Sequence, residues 1–99
     1  MIKMDKDNLQ VRHNKTAQRF EINLDSHTAL IDYRKRGDDI YVLVHTEVPP
    51  EFEGKGIGGR LVKGALEQIK AEGKRFVPMC SFISAYVRRH PEYEEFVAT

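Results

Sequence analysis

The stretch that decides the fold is EVPPEFEGKGIGGRLVKGALEQIK, residues 47–70. It places four glycines among the six positions from Gly54 to Gly59 and then continues directly into a helical pattern. Glycine loses more backbone entropy on folding than any other residue, so a group this dense has to serve a purpose. Pro49 and Pro50 stop the preceding strand, because proline has no N–H for a sheet. The stretch therefore predicts a strand, a glycine loop and a helix in succession.

The helix after the glycine loop is amphipathic and is predicted to run from about Gly56 to Glu72. Gly64 inside it costs about 1 kcal/mol relative to alanine, which indicates that close packing on the sheet requires it. Gly73 ends the helix. The apolar residues of its buried face recur at a spacing of four, with two more beside them: Ile57, Leu61, Ala65, Ile69, Val62 and Leu66.

A short strand, RFVPMC at residues 75–80, follows the helix. Together with IYVLVHTEV at residues 40–48 it makes a βαβ unit, so these two strands are predicted to be parallel. Residues 40–44 are apolar without a break, which predicts a strand covered on both faces. A second helix is predicted from Ser81 to Arg89, before the stop at Pro91.

Two segments with alternating apolar residues precede this unit, QRFEINLD at 18–25 and HTALIDYRK at 27–35. Turn residues Asp25–Ser26 and RGDD at 36–39 separate the strands. The first half is therefore predicted to be an antiparallel meander whose last strand lies in the sheet centre. Residues 1–8 are predicted to be a flexible N-terminus, and residues 9–99 a single domain.

Composition and charge argue against several classes of function. The net charge is only +1, so there is no strong electrostatic reason to bind nucleic acid or a membrane. The start, MIKMDKDN, lacks the apolar core of a signal peptide, and no apolar run approaches the roughly 18 residues of a membrane span. The single cysteine, Cys80, excludes a disulfide within the chain. We expect a cytoplasmic monomer with no nucleic-acid or membrane partner.

A glycine-rich turn at the start of a helix favours a bound anion. The N–H groups of the first turn converge, the helix dipole adds positive potential, and missing side chains let a phosphate approach. A tight turn without a ligand is the alternative. Four glycines at the head of a βαβ helix favour the phosphate site.

Two familiar phosphate-binding motifs do not fit. Gly54, Gly56 and Gly59 satisfy G-x-G-x-x-G, but PPEFE separates them from the strand, and the next strand ends in Cys80 instead of an acidic residue. A nucleotide triphosphatase loop requires lysine and then serine or threonine after its last glycine, and here Arg60 follows.

The loop EGKGIGGRLV, residues 53–62, resembles the acyl-CoA loop of the GNAT acetyltransferase superfamily, whose signature is Arg/Gln-x-x-Gly-x-Gly/Ala. The resemblance extends to HTEVPPEF before the loop and PMCSFISAYVRRHPEY after the helix, over roughly residues 10–95. It implies a minimal GNAT-like α+β fold: an antiparallel β-meander leading into a βαβ unit with splayed parallel strands, plus a C-terminal helix. Pro78 fits this fold, since a pair of strands that splay apart tolerates a missing N–H.

The resemblance also implies an acetyl-CoA-dependent N-acetyltransferase, with acetyl-CoA as co-substrate and an unidentified amine as acceptor. In that family the backbone amides of this loop bind the CoA pyrophosphate. Glu53 departs from the signature, and because a carboxylate beside a pyrophosphate is unfavourable, it is expected to point outward, with Lys55 and Arg60 offsetting it. The expected CoA-binding residues are Val48, Gly54, Lys55, Gly56, Ile57, Gly58, Gly59, Arg60, Cys80 and Ser81.

Four side chains are candidates for catalysis. Cys80 lies at a helix N-terminus, which lowers the pKa of a thiol, and would accept the acetyl group or protonate the leaving sulfur. Its alternative role is that of a small buried hydrophobe, but the resembling branch of the family carries cysteine here. His45 is a candidate base, with a satisfied core histidine as the alternative. Glu47 would lie on the same face of a regular strand and orient His45 or accept a proton through water, with a solvated strand end as the alternative. Tyr86 resembles a tyrosine placed near the departing sulfur, with core packing as the alternative.

The acceptor side is described only indirectly by the sequence. LDSH, residues 24–27, makes a tight turn where this family usually has helices that shape the acceptor pocket. An open pocket of this kind suits a protein or peptide lysine. Arg88, Arg89 and His90 are expected to form a solvated helix end, or else to touch the adenosine phosphates of CoA. No spacing of His, Cys or acidic residues predicts a metal site. The alternative function is a CoA-binding module with little or no catalysis.

Overall fold

The structure is a computed structural model that describes residues 10–98, so the flexible N-terminus predicted at residues 1–8 lies outside the described part. A meander of four strands leads into a helix, a fifth strand and a second helix. The elements are β1 (Arg12–Asn14), β2 (Arg19–Leu24), β3 (His27–Arg36), β4 (Ile40–Glu47), α1 (Ile57–Ala71), β5 (Arg75–Pro78) and α2 (Ser81–Arg89), with 3₁₀-helices at Pro50–Phe52 and Pro91–Phe96.

The strands form one sheet in the order β1-β2-β3-β4-β5. The first four are antiparallel and β4 pairs with β5 in parallel, which confirms the predicted meander and βαβ unit. β4 is an interior strand as predicted, but β3 takes the middle position because β1, which the sequence pattern did not predict, adds an edge strand. The β2–β3 turn is tight, and Asp25 adopts the left-handed conformation there, with φ of 57°.

One hydrophobic core holds the helices against the sheet. Both α1 and α2 contribute their buried residues to the same cluster. The buried residues of α1 are those of the predicted apolar stripe, and its bounds lie one residue inside the predicted ones at each end. Facing them on the sheet are residues such as Phe20, Ile22, Ile31 and Leu43, each fully buried.

The two faces of β4 are not equally covered. Tyr41 and Leu43 are buried, whereas Ile40, Val42 and Val44 are only half-buried. The prediction that this strand is covered on both faces is therefore wrong. The buried residues of both helices belong to the core on the side of Tyr41 and Leu43, which leaves the opposite face of the strand partly open.

A β-bulge in β4 determines which side chains face the helices. Tyr33 pairs with Leu43, but its neighbour Asp32 pairs with His45, so Val44 has no partner. Beyond the bulge, Thr46 pairs with the buried Ile31. Directly paired residues share a face of the sheet. Thr46 therefore points to the core side, and His45 and Glu47 point to the other side.

The segment after α2 closes the free edge of β5. Val97 forms a parallel bridge with Phe76, and the Ala98 N–H donates to the Phe76 carbonyl at 2.7 Å. Arg75 Nη2 lies 3.3 Å from the Val97 carbonyl oxygen. Tyr93, buried in the preceding 3₁₀-helix, donates to Glu67 on α1 at 2.6 Å. The last described residues thus extend the five-stranded sheet by an isolated bridge at the β5 edge.

Close packing at Gly64 involves the segment before β1. A Cβ built at Gly64 would lie 2.7 Å from Val11 Cβ, closer than real side chains approach. Gln68, one turn further along α1, donates to the Val11 carbonyl at 2.7 Å. The expected close approach exists, but its partner is the entry to β1 and not the sheet surface predicted from the sequence.

Gly64→Ala is expected to destabilise the fold by up to about 2 kcal/mol. The gain in helix propensity is about 1 kcal/mol, but overpacking against Val11 costs about 1–3 kcal/mol. Urea denaturation measures the difference. In a Val11→Gly background the same substitution should become neutral or stabilising, because the opposing Cβ is gone. A more stable Gly64→Ala variant in the wild-type background would contradict this account of the glycine.

Candidate active site

A gap opens between the ends of β4 and β5. The parallel pairing stops at Leu43 and Pro78, although β4 continues to Glu47. The N–H groups of Met79 and Cys80 both donate to the Leu43 carbonyl, each at 3.1 Å, and the chain then enters α2. The strands thus part at the proline, which confirms the predicted splay.

A groove of about 390 Å³ lies beside this gap and leads along the glycine loop. Six of the ten residues expected to bind CoA line it, while Lys55, Arg60, Cys80 and Ser81 lie outside the lining. Thr46, Phe52 and Phe82 also line the groove, although no sequence motif predicted them as part of this site. The lining residues are Thr46, Val48, Phe52, Glu53, Gly54, Gly56, Ile57, Gly58, Gly59 and Phe82.

The glycine loop presents free N–H groups to the groove. Gly54 and Gly56 have φ angles of 79° and 78°, in the left-handed region that favours glycine. Gly56 is the N-cap of α1 and offers no side chain to bond the first turn. The first bond of the helix runs from the Arg60 N–H to the Gly56 carbonyl, at 3.2 Å. The N–H groups of residues 57–59 are therefore left for an anion, in a first turn with no acidic residue.

Glu53 is an exposed residue at the edge of the groove, and the expectation that its carboxylate points outward stays a prediction. The Glu53 N–H donates to the Pro50 carbonyl at 3.3 Å, and this hydrogen bond ends the short 3₁₀-helix. The expected compensating cations, Lys55 and Arg60, are not part of the lining.

Cys80 is the N-cap of α2, and its half-buried Sγ lies 3.5 Å from Thr46 Oγ1. Burial raises the pKa of the thiol, but the Thr46 hydroxyl and the nearby N–H groups of Ile83 and Phe82 outweigh it. The pKa therefore lies below its ordinary value. Cys80 contacts the groove through Thr46, and its thiolate forms at a lower pH than that of an ordinary cysteine.

His45 and Glu47 lie together on the other face of β4. His45 Nε2 is 3.6 Å from Glu47 Oε2, and both side chains are more than half exposed. In a regular strand, His45 and Glu47 would follow Leu43 on the groove side. Because of the bulge, Thr46 and Val48 line the groove instead. The structure thus brings the two predicted residues together, on the side of the sheet opposite the glycine loop.

Tyr86 lies behind the glycine loop and not in the groove lining. The side chain is buried, its ring stacks on His90 with centroids 4.1 Å apart, and a Cβ at Gly59 would lie 3.9 Å from it. Burial raises the pKa of its hydroxyl, and Glu92 and Glu67 raise it further, so the side chain stays protonated.

The basic residues at the end of α2 are distant from the groove. Arg88 and Arg89 are exposed, and Arg88 Nη1 lies 3.5 Å from Ser84 Oγ, one turn back. A helix of nine residues places them about 13 Å from the N-terminus that meets the groove.

Two further properties concern metals and membranes. Within residues 10–98, three or more His, Cys, Asp or Glu side chains nowhere gather as metal ligands would. Neither helix of this described part is long and apolar enough to cross a membrane.

Comparison with known proteins agrees with the fold. Residues 19–96 match the model of the GCN5-related N-acetyl-transferase family, and the chain belongs to this family. It is similar to Protein NATD1 of Gallus gallus, with 33% identity over 85 residues, covering 84% of this chain and 77% of the relative. Protein NATD1 of Danio rerio is 34% identical over 91 residues, covering 88% and 83%.

A solved structure also matches. The NMR solution structure of a GCN5-like protein from Staphylococcus aureus superposes with a TM-score of 0.69 at 25% sequence identity. The match covers 92% of this chain and 89% of that one. The fold is therefore the GNAT fold, with its mostly antiparallel sheet and one parallel strand pair.

Proposed function

We propose that the protein transfers the acetyl group of acetyl-CoA to an amine, with the lysine side chain of a protein or peptide as the acceptor. The observation that carries the proposal is the groove, which joins a helix N-terminus with free N–H groups to the gap beside Cys80. Membership of the GCN5-related family supports the reaction class.

The donor would bind along the length of the groove. The pyrophosphate of CoA would accept hydrogen bonds from the N–H groups of residues 57–59, where the helix dipole is favourable. The pantetheine arm would follow the apolar wall formed by Val48 and Phe52 toward Thr46. A volume of about 390 Å³ lies within the range of small-molecule sites.

The acetyl transfer requires a proton acceptor and a proton donor. The amine nitrogen forms a bond to the thioester carbonyl carbon while the carbon–sulfur bond breaks, and the CoA sulfur takes up a proton as it leaves. Cys80, beside Thr46 on the groove side, would supply that proton. His45, held near Glu47 on the opposite face, would remove the proton from an amine that reaches the thioester through the gap between β4 and β5. The two proton transfers are thus assigned to the two faces of β4.

The acceptor would approach the face that carries His45. The β2–β3 turn is tight, so it adds no helix over this face, and Val42 is only half-buried there. Asp32, the partner of His45 on β3, is already paired with Arg19 at 2.9 Å, which leaves the exposed Glu47 carboxylate beside the base. An open surface with such a carboxylate suits a positively charged side chain on a large molecule.

CoA and acetyl-CoA are expected to raise the melting temperature of the protein, whereas NAD and ATP should not. A ligand at a hundred times its Kd stabilises the folded state by about 2.7 kcal/mol, which is readily measured in a domain of this size. Release of free CoA thiol from acetyl-CoA then tests transfer across peptide, polyamine and small-amine acceptors.

The outcomes separate the alternatives. Stabilisation by CoA without transfer to any acceptor would support a CoA-binding module with little catalysis. A larger shift with NAD than with CoA would contradict the proposed donor. Transfer to small amines but not to peptides would refute the lysine acceptor and retain the reaction.

A further inference from the structure

Phe82 is an exposed aromatic residue at the junction of the two helices. It keeps 42% of its surface exposed, although the other large apolar residues of α2, namely Ile83, Tyr86 and Val87, are buried. It is the second residue of α2, immediately after the N-cap Cys80 and Ser81. Core packing therefore does not account for a phenylalanine at this position.

The Phe82 ring rests on the backbone of Gly58. A Cβ built at Gly58 would lie 2.7 Å from Phe82 Cζ and 3.1 Å from Cε2. The side chain thus reaches from the start of α2 to the first turn of α1 and forms one wall of the groove. Any residue larger than glycine at position 58 would displace the ring.

We propose that Phe82 holds the pantetheine arm of the donor in the groove, and that position 58 is glycine in order to seat this ring. The inference rests on the proposed function, which places the pyrophosphate at residues 57–59 and the thioester beside Cys80. The ring lies between these two ends, because its tip touches the first turn of α1 and its backbone follows Cys80 by two residues. An arm that joins the two ends passes along the exposed part of the ring.

This explanation of Gly58 differs from the usual one for a phosphate loop. If the glycine serves only the approach of phosphate, a methyl group there weakens donor binding whatever residue stands at position 82. If the glycine seats the ring, the methyl group matters only while the ring is present. The two explanations therefore predict different couplings between positions 58 and 82.

Calorimetric titration with CoA of wild type, Phe82→Ala, Gly58→Ala and the double variant tests the proposal. Phe82→Ala is expected to weaken CoA binding about tenfold, since an aromatic contact with the arm is lost. Adenosine 3′,5′-bisphosphate, which lacks the arm, should bind the variant within about twofold of wild type in competition experiments. Gly58→Ala should weaken CoA binding in the wild-type background and cause no further loss beside Phe82→Ala.

The matched control is Met79→Ala, which removes another exposed apolar side chain near Cys80 that does not line the groove. It should leave CoA affinity unchanged. Unchanged affinity in Phe82→Ala, equal losses for CoA and the bisphosphate, or an additive loss in the double variant would each overturn the inference. Phe82→Leu should recover part of the affinity, and a melting temperature near that of wild type shows that each variant is folded. Absence of CoA binding by the wild type would instead refute the proposed function.

Discussion

Cys80→Ser is expected to lower the rate of acetyl transfer about a hundredfold while changing CoA affinity by less than about threefold. The serine oxygen fits the space of the sulfur, but a hydroxyl is a far weaker acid and a poor thioester former. The structure places this thiol at the N-cap of α2, 3.5 Å from the Thr46 hydroxyl, with its pKa lowered. Steady-state kinetics together with calorimetry measure the effect, and a loss confined to kcat assigns the contribution to the transition state.

Alkylation of the thiol provides a second readout. Because the pKa of Cys80 is lowered, its reaction with iodoacetamide should begin at a lower pH than that of a peptide cysteine. Thr46→Val removes one cause of the shift and should move the profile to higher pH. Bound CoA should slow the reaction, and an adduct of about +42 Da after acetyl-CoA alone would reveal an acetyl-enzyme.

Ser84→Ala is the matched control on the same helix. Ser84 is half-buried, and within residues 10–98 its hydroxyl has a side-chain hydrogen bond only with Arg88. It should transfer acetyl groups at the wild-type rate. A functional role for Cys80 would be refuted by an inert thiol that CoA does not protect, together with normal transfer by Cys80→Ser.

His45→Gln is expected to reduce transfer about a hundredfold at neutral pH, with CoA affinity unchanged, because the amine loses its general base. Raising the pH should recover part of the rate, since a growing fraction of the acceptor is then already deprotonated. The rate of thiol release as a function of pH, for one lysine peptide, measures both effects.

The chain contains a matched control for His45. His27 also lies near a glutamate, with its Nε2 3.0 Å from Glu51, but it has no place in the proposed chemistry. His27→Gln should transfer normally. Full activity of both histidine variants would contradict the role of His45. The base would then be Glu47 acting through water, or the reaction would need no general base from the protein.

Much of the fold follows from periodicity that can be read along the chain. The helix α1 was predicted within one residue at each end because its apolar stripe is regular over four turns. The edge strand β1 was missed because Arg12–Asn14 is too short to show alternation. Its place is determined by partners distant in sequence, including the contact of His13 Nε2 with the Tyr33 hydroxyl at 2.8 Å.

The glycine loop of the site could be predicted because it depends on local backbone conformation. The residues whose positions depend on strand register or on helix packing could not. The closely spaced glycines identify the loop, since few backbone conformations require so many glycines in one short segment. Thr46 was missed because alternation was assumed to be regular, whereas the bulge at Val44 arises from pairing with Tyr33 and Asp32. Phe82 was missed for a similar reason, since its contact with Gly58 exists only after both helices are in place.

The segment formed by Val97 and Ala98, which bridges to β5, affects the tendency of the protein to aggregate at high concentration. Open sheet edges offer unpaired N–H and C=O groups through which copies of a chain stack into aggregates. One edge of this sheet is β1, a strand of only three residues that includes the charged Arg12. At the other edge, β5, the Phe76 carbonyl already accepts a hydrogen bond from the Ala98 N–H. A protease cut or a fusion junction placed near Phe96 would therefore cost solubility before it disturbed the groove.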